Sequence, residues 1–199
     1  MKFVKFISRR DITNLHHANP AAHFYDTSTH APTANDYDFV HDFSEFSPFV
    51  QYGDIPVPRS SYSSDTVEGV WQGLKLVCGH IDLAYFHGKG RKRDGNVKGH
   101  LYGDRVLKYK EARKKIFIPT YTFMVKNHIP KTILEEIRQR ALDDTPQFFF
   151  DVDQNGNLGN LHEPLAHSAV LVDIINEELR KLMDHGSYGN GSNIRSRWA

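Results

Sequence analysis

One cysteine in 199 residues, Cys78, leaves no internal disulfide and no multi-cysteine zinc site, which fits a reducing compartment. Cys78 itself is expected as a buried helix residue. No apolar run approaches the roughly 20 residues that cross a bilayer. The opening MKFVKFISRRDITN has neither the apolar stretch nor the small-residue cleavage site of a secretory leader. The expectation is a soluble, cytoplasmic protein with no membrane role. The chain also lacks internal repeats, a GxSxG turn, a GxxxxGK[ST] loop, a Rossmann fingerprint and, among twelve histidines, any HExxH or paired spacing on a convincing helix. No metal ligand and no cofactor is therefore expected. With 39% hydrophobic and 25% charged residues, the chain is neither disordered nor fibrous, and its length suits one domain over residues 1–185 with a flexible tail at 186–199.

What is present is charge unevenly spread. A formal net charge of +1 hides a block from Lys89 to Lys115 with eleven Lys or Arg against three acids. From Asp11 to Glu68 nine acids face Arg59 alone, and from Asp143 to Asp184 nine acids face Arg180 and Lys181. A concentrated cationic block suits a phosphate-bearing partner. The plainer reading is a solvated surface whose charges pair with the acidic flanks.

Periodicity gives an α+β domain dominated by helix, without regular strand–helix alternation. Residues 1–8 read as a short strand, and the chain to about residue 35 reads as irregular. FVQYGDIPVP suggests a strand entering a proline-punctuated loop. A helix is expected over 66–78, with Asp65 and Glu68 forming a capping box. Residues 79–103, rich in glycine and basic residues, read as a long loop. Helices are expected from Asp104 to about Phe117, over 120–127, from Pro130 through Ala141, and over 166–184. QFFFDVD, 147–153, reads as a buried strand ending in carboxylates.

Chemistry concentrates in three places. On the helix at 66–78, Glu68, Gln72 and Lys75 follow one another at i, i+4 and i+7, with Trp71 at the border of that face. Glu68 either caps the helix or faces a ligand. Gly69 and Gly73 cost roughly 1 kcal/mol each in a helix interior, so a close approach must offset them. Upstream, HDFSEFSPF sets Ser44 and Ser47 among Phe43, Phe46 and Phe49, either a stacking and phosphate-binding edge or simply core. Downstream, GKGRKRDGNVKGHLYG offers Lys89, Arg91 and Arg93 to phosphate oxygens, with His100 as a possible acid or base. The following helix would set Arg105, Tyr109 and Arg113 on one face as an extension of that cationic wall. Asp151 and Asp153 are candidates for a second carboxylate, Asp151 being taken with Glu68. The alternative is that they open a turn with Asn155 and Gly156.

FSEFSPF followed by TVEGVWQGLK resembles the opening of the NADAR, or YbiA-like, superfamily, in which an LSNFYPS-type segment precedes a helix of the type SVEHxxQAxKF. Val67, Glu68, Gln72 and Lys75 stand in register with that family's V, E, Q and K over about residues 43–76. Gly69 replaces its His and Gly73 its Ala. The glycine-rich stretch, YKEARKKIFIPTY, FFFDVD and EPLAHSA look similar to a bacterial and phage branch, whereas the usual WG and NxLGxxLMxVR ending survives only as NGNLGN.

The resemblance implies a largely helical YbiA-like domain that hydrolyses an N-glycosidic bond with the helix glutamate essential. The implied substrate is an ADP-ribosyl nucleobase in nucleic acid, and a phage copy, acting in the host cytoplasm, would counter ADP-ribosylating defence toxins. A small-metabolite N-glycosidase of the riboflavin-intermediate type and a non-catalytic nucleotide-binding module are the alternatives.

Overall fold

The computed structural model describes residues 3–186. Helix outweighs strand in a mixed fold. Alternation is present where the sequence reads as irregular: β1 (Lys5–Phe6), α1 (Ile12–Ala18), β2 (His23–Asp26), α2 (Pro32–Asp36) and β3 (Val40–Asp42) follow one another. Each element is too short for its periodicity to show. The small hairpin strands β4 (Ile55–Pro56) and β5 (Ser63–Ser64) come next. From the far end of the sequence β9 (Gln147–Phe150) inserts between β1 and β2, giving a four-stranded sheet of order β1-β9-β2-β3 with every pair parallel.

The run of three phenylalanines in β9 is explained by that central position. Phe149, with Tyr25 of β2, enters the larger core, while Phe148 and Phe150, with Phe24, enter a smaller core with Ile12, Ala22 and Val40. A strand buried on both faces has no polar alternation to display.

The helix expected over 66–78 is α3 (Val67–Gly73), and it stops five residues early. Thr66, not Asp65, caps it, accepting the Gly69 N–H at 2.7 Å. Asp65 instead accepts the Gly88 N–H at 2.6 Å. The chain then enters β6 (Lys75–Val77), which pairs with β7 (Val97–Tyr102), itself paired with β8 (Arg105–Leu107), all antiparallel. The long loop expected to residue 103 therefore ends in a hairpin, turned at Gly103 with φ +63°. Cys78 is exposed in the turn between Val77 and His80, at φ +52°, and not buried in a helix.

Gly69 and Gly73 have their close approach. A Cβ on Gly69 would lie 2.5 Å from Ser64 Oγ, and one on Gly73 would lie 2.3 Å from the Phe86 ring. The 3-10 turn Leu83–Phe86 lies directly against the helix.

The helices expected at 104–117 and 120–127 are one rod: α4 (Tyr109–Ala112), a π turn (Arg113–Phe117) and α5 (Ile118–Asn127). Pro119 follows the wide turn, where a loosened ladder tolerates its missing N–H. The stripe Ile133, Leu134, Ile137 and Ala141 belongs to α6 (Lys131–Leu142). α7 (His167–Gly186) packs Leu171, Ile174, Ile175 and Leu179 into the larger core. The tail expected from residue 186 lies outside the described residues beyond Gly186. Among the described residues no helix is long and apolar enough to cross a membrane.

Candidate active site

Strand ends and helix starts converge on a cleft of about 410 Å³, within the size range of small-molecule sites. It opens beyond the carboxyl ends of the central strands, as ligand sites on parallel sheets commonly do. β9 runs out into Val152 and Asp153, which line it, and β2 into Thr27, which holds a lining residue of α7, His167. α3 contributes Glu68, Trp71 and Gln72, β6 contributes Lys75, and the glycine-rich loop contributes Lys92. Pro48, Phe49, Tyr109, Arg113, Phe117, Pro164 and Leu165 complete the walls.

Glu68 is 7% exposed and accepts the Gln72 amide Nε2–H at 2.5 Å. It faces the cleft and does not cap its helix. Burial pushes its carboxyl above the usual range, opposed first by the Gln72 hydrogen bond and then by the charges of Lys75, Lys92 and His167. Lys75 is shifted down, chiefly by burial and then by neighbouring Lys92 and Arg93, while Glu68 pulls it back up. Although α3 ends before Lys75, the i, i+4, i+7 set still meets at one cleft.

The second carboxylate facing the cleft is Asp153. Burial raises it, and the negative charge of Asp151 adds to that, with His167 and Lys92 opposing. Asp151 is fully buried with its oxygens occupied: it accepts the N–H of Asp153 at 2.7 Å, the N–H and hydroxyl of Ser168 at 2.9 and 2.8 Å, and faces His167 Nδ1 at 3.1 Å. It braces the first turn of α7 and orients His167, whose Nε2 lies 2.8 Å from the Thr27 carbonyl oxygen. Asp151 thus supports the site without lining it.

Most arginines expected on phosphate are occupied elsewhere. Arg93 gives Nη1 to the Lys75 carbonyl at 2.7 Å and Nη2 to the His80 carbonyl at 3.0 Å. Arg113, 2% exposed, donates to the carbonyls of Leu158, Asn160 and Glu163 at 2.6–3.2 Å and thereby fixes the 157–164 wall. Arg91 lies over the Tyr85 ring. Arg105 lines a separate surface depression with Arg59 and Tyr102, and Lys89 is exposed away from the cleft lining. Tyr109 does line the cleft, as does Arg113, whose guanidinium is turned to the carbonyls of the 157–164 wall.

The upstream segment reaches the cleft through Pro48 and Phe49, not through the residues expected. Phe46 is core and its carbonyl accepts the Tyr121 hydroxyl at 2.7 Å. Ser47 Oγ is bound to Thr29 Oγ1 at 2.8 Å, and Ser44 lies half-buried in the preceding 3-10 turn. His100 is fully buried against Trp71, with ring centroids 3.9 Å apart, and burial followed by the Lys75 charge lowers it to about 3, so it stays neutral.

Phe117 and His167 line the cleft with no signal in the sequence to mark them. Phe49 and Lys92 stand inside stretches that the sequence does mark, but nothing there separates them from their neighbours. His167 opens α7 beside EPLA, and only the fold brings it to Asp151. Among the described residues no group of three or more His, Cys, Asp or Glu is placed to hold a metal ion.

A family model matches residues 7–171 and is described as a family of unknown function, DUF6939. No curated protein and no solved structure matches the chain.

Proposed function

We propose that this chain, which belongs to the DUF6939 family, hydrolyses an N-glycosidic bond in a nucleotide-like substrate. The observation that carries the reading is the pairing of two raised carboxylates, Glu68 and Asp153, with two ammonium groups, Lys75 and Lys92, in one aromatic-walled cleft. The likeness of residues 43–76 to the NADAR opening supports it, and a YbiA-like domain is part of the proposal.

Cleavage builds positive charge on the anomeric carbon and negative charge on the departing base. Glu68 stands beside the anomeric carbon. Its carboxylate opposes the developing cation and takes a proton from water as the water oxygen bonds to that carbon. Asp153 gives its proton to the base nitrogen as the carbon–nitrogen bond breaks. Raised carboxylates suit both roles near neutral pH. Lys75 and Lys92 hold a phosphate, and Phe49, Trp71 and Tyr109 offer surfaces to the base.

Because Arg93 and Arg113 are spent on carbonyls, the cleft itself favours a compact ligand with one or two phosphates. The ADP-ribosyl nucleobase in nucleic acid stays as the second reading, favoured by the exposed lysines Lys89, Lys98, Lys108 and Lys114. Incubation with an ADP-ribosylated oligonucleotide, its mononucleotide counterpart and a ribosylaminopyrimidine phosphate tests both. Released base from the smaller substrates at equal or higher kcat/KM supports the compact ligand, and oligonucleotide preference that fades with salt supports the polyanion. Tight binding without release from any of the three makes the chain a binding module.

A further inference from the structure

We infer that Arg93 and Gln72 are positioning residues through which the docked glycine-rich loop sets Glu68. The inference rests on the reading of Glu68 as the proton acceptor. The Arg93 guanidinium straddles two carbonyls, those of Lys75 and His80, and so pins the loop to β6 and the turn after it. That docking brings the Arg93 backbone N–H to Gln72 Oε1 at 3.0 Å. An amide whose oxygen is claimed by a donor must turn its NH2 the other way, and Gln72 Nε2 donates to Glu68 Oε1 at 2.5 Å. The orientation of the Gln72 amide thus follows from the position of the loop, and the rotamer of Glu68 follows from Gln72.

Two further contacts show how closely the loop is seated. Asp65 accepts the Gly88 N–H where the loop begins. At Gly90 a Cβ would stand 2.9 Å from the Phe49 ring and 3.0 Å from Glu68 Cβ, so the backbone lies directly on the catalytic side chain. A free phosphate-binding arginine would keep its fork open to the cleft. Arg93 has both terminal nitrogens on backbone oxygen.

The titratable groups around Glu68 are Lys75 from β6, Lys92 from the loop and His167 from α7, with Asp153 sharing the cleft. Lys75 and Lys92 hold the carboxylate down, as does the Gln72 hydrogen bond, against the burial that raises it. Loss of the Gln72 hydrogen bond therefore leaves burial less opposed, and Glu68 must titrate at higher pH.

The test follows the Glu68 carboxyl by carbon NMR in the full chain, assigned with Glu68→Gln, for the parent, Arg93→Ala, Gln72→Leu and the double variant. Gln72→Leu and Arg93→Ala are each expected to raise the midpoint by about one pH unit, the order of one hydrogen bond to a charged group. The double variant is expected to match Gln72→Leu alone, since Arg93 acts through it. Arg91→Ala, which leaves Gln72 untouched, should reproduce the parent. An unchanged midpoint in Gln72→Leu, or an Arg93→Ala shift that adds fully to that of Gln72→Leu, overturns the inference. Because Gln72→Leu keeps the loop clamp, it tests the idea even where Arg93→Ala does not fold. A shifted midpoint in a protein that releases no base supports the positioning role and counts against the hydrolase reading alone.

Discussion

The cleft face of α3 and the basic block at 89–115 carry the two strongest signals in this chain, and they differ in how their polar groups are used. On α3, Glu68 and Gln72 are buried yet keep their functional ends at the cleft, bound to each other and to one loop N–H. In the basic block the guanidiniums of Arg93 and Arg113 are consumed by backbone carbonyls, and Arg91 is laid on an aromatic ring. A count of cations therefore overstates the charge offered to a ligand. What matters is how many keep unspent donors facing the cavity, and here Lys92 does.

The sharpest break of that contrast is Glu68→Gln. Hydrolysis should fall by about 10²–10⁴-fold while ligand affinity is largely kept, because the amide preserves shape but accepts no proton. Its melting temperature should hold or rise, since a buried charge is removed. Turnover equal to the parent would remove Glu68 from the chemistry.

Arg113→Met should do the opposite. The Leu158 carbonyl loses its side-chain donor and those of Asn160 and Glu163 keep only the Asn155 amide, so unfolding titrations are expected to show a loss of roughly 3 kcal/mol, with the 157–164 wall loosened first under limited proteolysis. An undiminished stability together with weakened phosphate binding would return Arg113 to the ligand.

Lys92→Ala should raise KM for a phosphate-bearing substrate by about tenfold, the scale of one partly screened ion pair, and leave the melting temperature in place. Arg91→Ala, in the same loop, should change neither. Equal effects of the two on a salt series would mean that the loop acts as a diffuse positive surface.

The last effect concerns pH and is absent at pH 7. His100 titrates near 3 in the fold, against 6.5 as its ordinary value, so the unfolded chain binds the extra proton first. Its contribution favours the fold fully above about pH 6.5 and is lost progressively as pH falls toward 3. His100→Phe should accordingly match the parent at pH 7 and exceed it at pH 4 in thermal unfolding. A parallel pH dependence in the two proteins would contradict the burial of an unprotonated ring.

How much of this was legible follows from what each signal depends on. α6 and α7 show their stripes because each buries one face and is long enough for 3.6-residue spacing to repeat, whereas the short α3 is buried all round and is legible by its apolar residues alone. The first 42 residues hide a βαβαβ run, since seven-residue α1 and four-residue β2 give no period to detect and β2 is recognisable only once β9 lies beside it. The hairpin β7–β8 was lost among glycines that read as loop, although those residues make its turn and its close strand contacts.

Glu68, Gln72, Lys75 and Trp71 were read together because one local element carries them or leads directly into their shared wall. Asp151 and Asp153 were indistinguishable in sequence, as strand-end carboxylates two residues apart. Only the long-range contact with Ser168 and His167 marks Asp151 as the brace and leaves Asp153 for the cleft.

The central claim is that water replaces a base at an anomeric carbon in this cleft. Single-turnover hydrolysis of the ribosylaminopyrimidine phosphate and of the ADP-ribosylated mononucleotide in ¹⁸O-water, read by mass spectrometry, tests it most directly. The account predicts one ¹⁸O at the anomeric hydroxyl of the released sugar, none in the base, and no product with Glu68→Gln on the same timescale. An unlabelled sugar product, or label released equally well by Glu68→Gln, would contradict it.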